Sequence, residues 1–215
     1  MNEPTDLRRA GSRRRFWLIA FPFLASGLAA LTYQIAWQRL LFAAFGVDME
    51  SITVIVSAFM LGLGAGALAG GRLADRFPGR IVPMFAAAEA AIGVFGLLSP
   101  ALIAAVGHAS MQFPLPVVAA TNFLLLLVPT SLMGATLPML VAFLVAKSGN
   151  VGVSIGALYL VNTAGAALGA ALTGFVAFHY LDLHQVIRLA AALNLMASLL
   201  ILALFRSELR LGLVA

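Results

Sequence analysis

Cysteine is absent from the 215 residues, and charged side chains make up only 10% of them. Without a thiol there is no disulfide framework, thiolate zinc site, iron–sulfur cluster or cysteine nucleophile, and no marker of redox compartment. Catalytic constellations are missing as well. The chain has no Ser/His/Asp set, no carboxylate pair and no Gly-rich nucleotide loop followed by an acidic residue, so an enzyme is not expected and no cofactor is implied. Acidic residues are few, eight against thirteen Lys and Arg. With 62% hydrophobic residues and a mean hydropathy of +1.04, the composition excludes a soluble globular domain and describes an integral membrane protein. At about 20 residues per span, the chain can cross a bilayer roughly six times with little left over.

Apolar runs and their punctuation predict six transmembrane helices near 16–45, 51–71, 81–107, 116–146, 152–179 and 184–205. A basic tail, 1–15, precedes them and a short tail, 207–215, follows. The first and fourth runs exceed the hydrocarbon thickness, and Pro22, Pro129 and Pro138 are the expected sites of bending. Arg8, Arg9, Arg13, Arg14, Arg15, Arg72, Arg76, Arg80, Lys147, Arg206 and Arg210 all fall at one side of this arrangement. Asp48, Glu50 and Asp182 fall at the other, with only Arg39 and Arg188 near them. The asymmetry predicts an even number of spans with both termini cytoplasmic. The basic excess thus reads as a topology signal with some attraction to anionic lipid, and not as a nucleic-acid footprint. Ser12-Arg13-Arg14-Arg15-Phe16-Trp17-Leu18 also has the form of a twin-arginine export signal, but positive-inside bias accounts for it and the first helix is expected to be retained.

Glycine recurs every fourth residue at Gly62, Gly66 and Gly70 in the second helix and at Gly165 and Gly169 in the fifth, with a further pair at Gly152 and Gly156. Such faces let backbones approach closely, because lipid provides no hydrophobic drive between helices. Closely packed helices can be static, or can rock against each other as in transporters built from repeats.

Glu89, about 12 Å into the third helix, lies near the bilayer midplane. A charge there costs at least about 2.5 kcal/mol, so the group must face protein, water or a partner. Tyr159, Asn162 and Thr163 share one face of the fifth helix at a similar depth. Together with Glu89 they form a candidate polar patch, suited to a cationic amine or to a proton held on Glu89. The competing reading makes Glu89 structural glue, hydrogen-bonded to a neighbouring helix. Tyr33, Gln34, Trp37 and Arg39 lie toward the outer end of the first helix, where the aromatics suit an interfacial belt and Arg39 suits pairing with Asp48, Glu50 or Asp182. Arg188 invites the same explanation. His108, His179 and His184 fall on the outer side, and His179, Asp182 and His184 are adjacent enough to suggest zinc or copper. Interfacial histidines more commonly bond water or backbone, and no metal site is expected.

The second-to-third connection, Gly71-Arg72-Leu73-Ala74-Asp75-Arg76-Phe77-Pro78-Gly79-Arg80, resembles the signature loop of the major facilitator superfamily. That resemblance implies a cytoplasmic loop in which Asp75 contacts a helix end and basic residues. Further segments widen it: Tyr33-Gln34-Ile35-Ala36-Trp37-Gln38-Arg39, Ala58-Phe59-Met60-Leu61-Gly62, Glu89 with Ile92-Gly93, Met133-Gly134-Ala135-Thr136-Leu137-Pro138, and Tyr159 with Asn162-Thr163. From Phe16 to Arg206 the chain is similar to the membrane region of bacterial fused facilitator/spermidine synthase-like proteins, without their soluble synthase domain. The resemblance implies an all-α six-helix bundle like one half of a major facilitator fold, in the bacterial cytoplasmic membrane. It also implies handling of amines or polyamines. Two functional classes follow. One is a small-molecule translocating module acting as a homo-oligomer; the other is a non-transporting anchor or accessory subunit of a separately encoded synthase-like protein.

Overall fold

A computed structural model describes residues 3–45, 48–110, 112–148 and 150–206. The side chains of Arg8, Arg9, Arg13, Arg14, Arg15, Asp48, Glu50 and Lys147, and all of Arg210 with the rest of the C-terminal tail, lie outside the described residues. Helix α1 is Glu3–Phe45, α2 Asp48–Arg76, α3 Ile81–Ser110 and α4 Leu115–Ser148. Helix α5, Val151–Leu172, passes through a π-helical turn, Thr173–Ala177, into a last helical turn, Phe178–Tyr180; α6 is Leu183–Leu204. Among the described residues the chain is all helical, and each of the six helices is long and apolar enough to cross a membrane.

The ends follow local chemistry. Helix α1 starts well before Phe16, at Glu3, and its basic stretch includes the good helix formers Leu7, Arg8, Arg9, Ala10, Arg13, Arg14 and Arg15. Helix α2 runs on past Gly70 and Gly71 to Arg76, where Pro78 opens a single 3-10 turn, Pro78–Arg80. Asn150 caps α5 by accepting from the Val153 amide at 3.0 Å. Asp182 and Gln185 form a reciprocal capping box at α6, at 2.8 and 2.9 Å. Pro22, Pro100, Pro129 and Pro138 all lie inside continuous helices.

Four of the five principal helix pairs are not adjacent in sequence: α2 packs on α4, α1 on α5, α3 on α6 and α1 on α6, and only α3 on α4 joins consecutive helices. Exchanging α1, α2 and α3 with α4, α5 and α6 maps this set onto itself. The exchange holds at residue level. A Cβ on Gly66 or Gly70 would meet the backbone carbonyl of Ser131 or Ala135, and one on Gly134 would meet that of Leu63. Correspondingly, a Cβ on Gly165 or Gly169 would meet the carbonyl of Leu24 or Leu28, and one on Gly27 that of Asn162. Leu24, Gly27 and Leu28 thus match Ser131, Gly134 and Ala135, while Leu63, Gly66 and Gly70 match Asn162, Gly165 and Gly169, at identical spacings. Pro22 and Pro129 occupy matching positions as well. Between α3 and α6, Ser198 donates to the Ala86 carbonyl at 2.7 Å, and Gly93 lies against the Ala191 carbonyl. Ala86, Glu89 and Gly93 therefore match Ala191, Asn194 and Ser198. Three spans per repeat make matching helices antiparallel, so the two halves form an inverted repeat.

Two apolar clusters fill the bundle. One is built around Tyr33, Trp37, Phe59, Ile92 and Leu126, the other around Phe23, Phe85, Met139, Leu140 and Phe143. Where α1, α3 and α6 meet, Ser26, Glu89 and Asn194 separate the two.

Candidate functional site

Glu89 is fully buried, and Ser26 and Asn194 are 5% and 1% exposed. Ser26 Oγ donates to one Glu89 carboxyl oxygen and Asn194 Nδ2 to the other, each at 2.7 Å. The carboxyl group thus ties α1, α3 and α6 together at mid-depth. Because Glu89 and Asn194 occupy matching positions of the two repeats, their hydrogen bond lies on the pseudo-two-fold axis. Asn194 Oδ1 and the Tyr33 hydroxyl are buried without a hydrogen-bond partner. Unpaired polar atoms are costly in so apolar an interior.

The pair can accommodate a proton. An ionised Glu89 accepts from both neighbours, as the geometry shows. A neutral Glu89 gains an O–H donor, and a half-turn of the Asn194 amide places Oδ1 opposite it as acceptor. Either protonation state therefore keeps an α3–α6 hydrogen bond.

The polar patch expected around Glu89 is not assembled. Tyr159 is 60% exposed and Thr163 is exposed, both on α5, whereas the polar partners of Glu89 come from α1 and α6. The reason is the glycine face: Gly165 and Gly169 bring α5 against α1, and Tyr159 lies about 240° around the helix from Gly165. Asn162 alone of the three reaches α1, half-buried beside Gly27. Ser26 and Asn194 escaped the sequence reading, although each is a polar residue deep in an apolar span. A second unanticipated link joins Thr173 of the π turn to Thr32 of α1, hydroxyl to hydroxyl at 2.9 Å.

The interfacial belt is also corrected. Tyr33 and Trp37 are both 0% exposed. Their rings stack at 4.7 Å and 19°, with Phe95 edge-on to Trp37 at 5.7 Å. Trp37 Nε1 donates to Ser99 Oγ at 2.8 Å, and Ser99 passes the bond on to the Gly96 carbonyl. The small residues Gly96 and Ser99 on α3 make room for the two rings, which is why they turn inward. Gln34 is half-buried. Arg39 is exposed, with its guanidinium 3.7 Å above the Phe178 ring, and Asp182 is occupied as the cap of α6. Arg188 reaches the His184 carbonyl at 3.4 Å.

At the α2–α3 connection, Asp75 is exposed in the last turn of α2, and Arg76 and Arg80 flank the Phe77 ring at 5.6 and 6.0 Å. Gly71 lies beside Pro138, and Gly79 stands in open space. The glycine faces pack as expected: Gly62 leaves room for Thr130, whose hydroxyl reaches the Ala58 carbonyl of α2 at 3.1 Å. Gly152 and Gly156 take no part in close packing. His108, His179 and His184 are exposed, and no group of three metal-ligating side chains occurs among the described residues.

Six apolar helices around a buried polar centre define a multi-pass membrane protein. The chain matches no protein-family model, no curated protein and no solved structure.

Proposed function

We propose that this chain is a transport module of half-facilitator type, in which Glu89 carries a proton coupled to movement of the two repeats. The observation that carries the reading is the inverted repeat with the Glu89–Asn194 bond on its axis. Inverted repeats let one set of helices rock against the other about a central site, and a carboxyl group at that site can bias the rocking by its protonation. The resemblance to the membrane region of facilitator/spermidine synthase-like proteins supports the same class and suggests amines or polyamines as cargo. A second six-helix body, most simply another copy, would complete the enclosure of a substrate path.

An anchoring or accessory role has its own support. Ser26 and Asn194 satisfy both carboxyl oxygens of Glu89, and Tyr33 and Trp37 are tightly stacked, as in a static core. Flux separates the two. The full chain is reconstituted in proteoliposomes and uptake of labelled spermidine is followed with and without a pH gradient. Gradient-dependent uptake that falls at least tenfold in Glu89→Gln is the expected result. Absence of uptake of spermidine and of simple diamines, with the protein folded, would favour the anchor.

A further inference from the structure

An open groove of about 790 Å³ runs between α2, α3 and α4, lined almost wholly by apolar side chains, with Ser131 among them. Its lining spans Ala65 to Leu73 on α2 and Leu124 to Met139 on α4, about 12 and 22 Å of helix. One bilayer leaflet contributes about 15 Å of hydrocarbon, half of the roughly 30 Å core.

Small residues open two of its walls. On the α2 and α3 walls, Ala69, Ala88 and Ala91 stand where the matching positions of α5 and α6 carry Leu168, Leu193 and Met196. None of the other lining residues on these two walls has a clearly smaller counterpart. On the α4 wall, Leu127, Leu132 and Met139 stand where α1 carries Ala20, Ala25 and Thr32, so the opening lies against α2 and α3.

Charge marks one end of the groove. Leu73 and Met84 line it where α2 and α3 converge on their connection, and that connection carries exposed Arg72, Arg76 and Arg80 with one exposed carboxylate, Asp75, among them. The guanidinium groups of Arg76 and Arg80 both lie within 6.0 Å of the Phe77 ring. An apolar channel of leaflet length ending at three cations and one carboxylate, net positive, complements a molecule with an apolar tail and an anionic head.

We infer that the α2–α3–α4 groove binds an anionic phospholipid, one acyl chain lying along Ala69, Ala88 and Ala91 and the headgroup phosphate held by Arg72, Arg76 and Arg80. The site is independent of Glu89 and of any transport role. Each basic side chain near a membrane surface strengthens anionic lipid binding by about fivefold.

The test is native mass spectrometry of the intact full chain in mild detergent, offered phosphatidylglycerol or phosphatidylcholine at equal mole fraction. The expected result is one phosphatidylglycerol kept per chain in preference to phosphatidylcholine. Arg76→Gln with Arg80→Gln, both exposed, should weaken that retention roughly tenfold or more. Ala69→Leu with Ala91→Met should abolish it while circular dichroism shows unchanged helix content; if that variant fails to fold, the arginine variant decides. Equal retention of both lipids, or retention indifferent to the arginines or to groove filling, would overturn the inference. So would a dimer that groove filling dissociates, because the occupant would then be a second copy.

Discussion

Gly64 and Gly66 stand two residues apart on α2, and alanine at each should move stability in opposite directions. A Cβ on Gly64 meets nothing within 4 Å, whereas one on Gly66 falls on the Ser131 backbone carbonyl of α4. Backbone cannot rotate aside as a side chain can, so α2 and α4 must separate and lose contact along their shared face. Overpacking of this kind costs about 1–3 kcal/mol. Alanine itself is favoured over glycine in a helix by about 0.5–1 kcal/mol. Gly64→Ala should therefore be stabilising by about that amount, and Gly66→Ala destabilising by roughly 0.5–2 kcal/mol net. The inverted repeat extends the prediction: Gly165→Ala, whose Cβ falls on the Leu24 carbonyl, should match Gly66→Ala within about 0.5 kcal/mol. Unfolding in mixed micelles of rising dodecyl sulfate fraction, followed by far-ultraviolet circular dichroism, reads all three. If Gly66→Ala proved as stable as Gly64→Ala, the close α2–α4 approach would be wrong. A large gap between Gly66→Ala and Gly165→Ala would refute the equivalence of the two halves.

Glu89→Gln keeps the shape and hydrogen-bonding capacity of the side chain, and rotation of the Asn194 amide restores a pair, so its stability should change little. Glu89→Ala orphans the Ser26 and Asn194 donors and opens a hole, and should cost about 2–4 kcal/mol in the same titration; equal costs for the two would deny the hydrogen bonds their role. Ser26→Ala, removing one donor, should cost about 0.6 kcal/mol and no more than about 1.7. Trp17 is 62% exposed and Trp37 is 0% exposed, so brominated lipids should quench the fluorescence of a Trp37→Phe variant and spare that of Trp17→Phe. Strong quenching of Trp37 would return it to the membrane interface. Asp182→Ala removes the capping box of α6 and should destabilise by about 1 kcal/mol, with Asp182→Asn recovering most of it.

Helix number, approximate spans and the polar outlier Glu89 were legible because each is a one-dimensional property. A run of apolar side chains long enough to cross hydrocarbon must satisfy its own backbone, and a carboxyl group within such a run is conspicuous wherever the helix lies. The glycine spacing at Gly62, Gly66, Gly70, Gly165 and Gly169 announced close packing for the same reason. Partners were not legible. Tyr33 and Trp37 have the composition of an interfacial belt, and only the opening left by Gly96 and Ser99 on another helix turns them inward. Tyr159, Asn162 and Thr163 share a helical face with one another, but which face meets Glu89 depends on the rotation of α5, set by its contact with α1. The inverted repeat is hidden because its matching pairs differ in kind, as Glu89 with Asn194, Leu63 with Asn162 and Ser131 with Leu24 do; backbone packing preserves a small-residue pattern and not identity.

The amino-acid sequence by itself determined an all-helical chain with six membrane-length spans, a basic connection between the second and third, and one carboxyl group placed at mid-depth. Hydrophobic length and charge act locally along the chain, so no neighbour was needed to see them. Tertiary structure alone decided that Glu89 meets Ser26 and Asn194, that the two halves are related by a pseudo-two-fold, and that α2, α3 and α4 leave a groove between them. Those outcomes depend on which backbones can approach within a carbonyl's reach, and that is a property of pairs of helices.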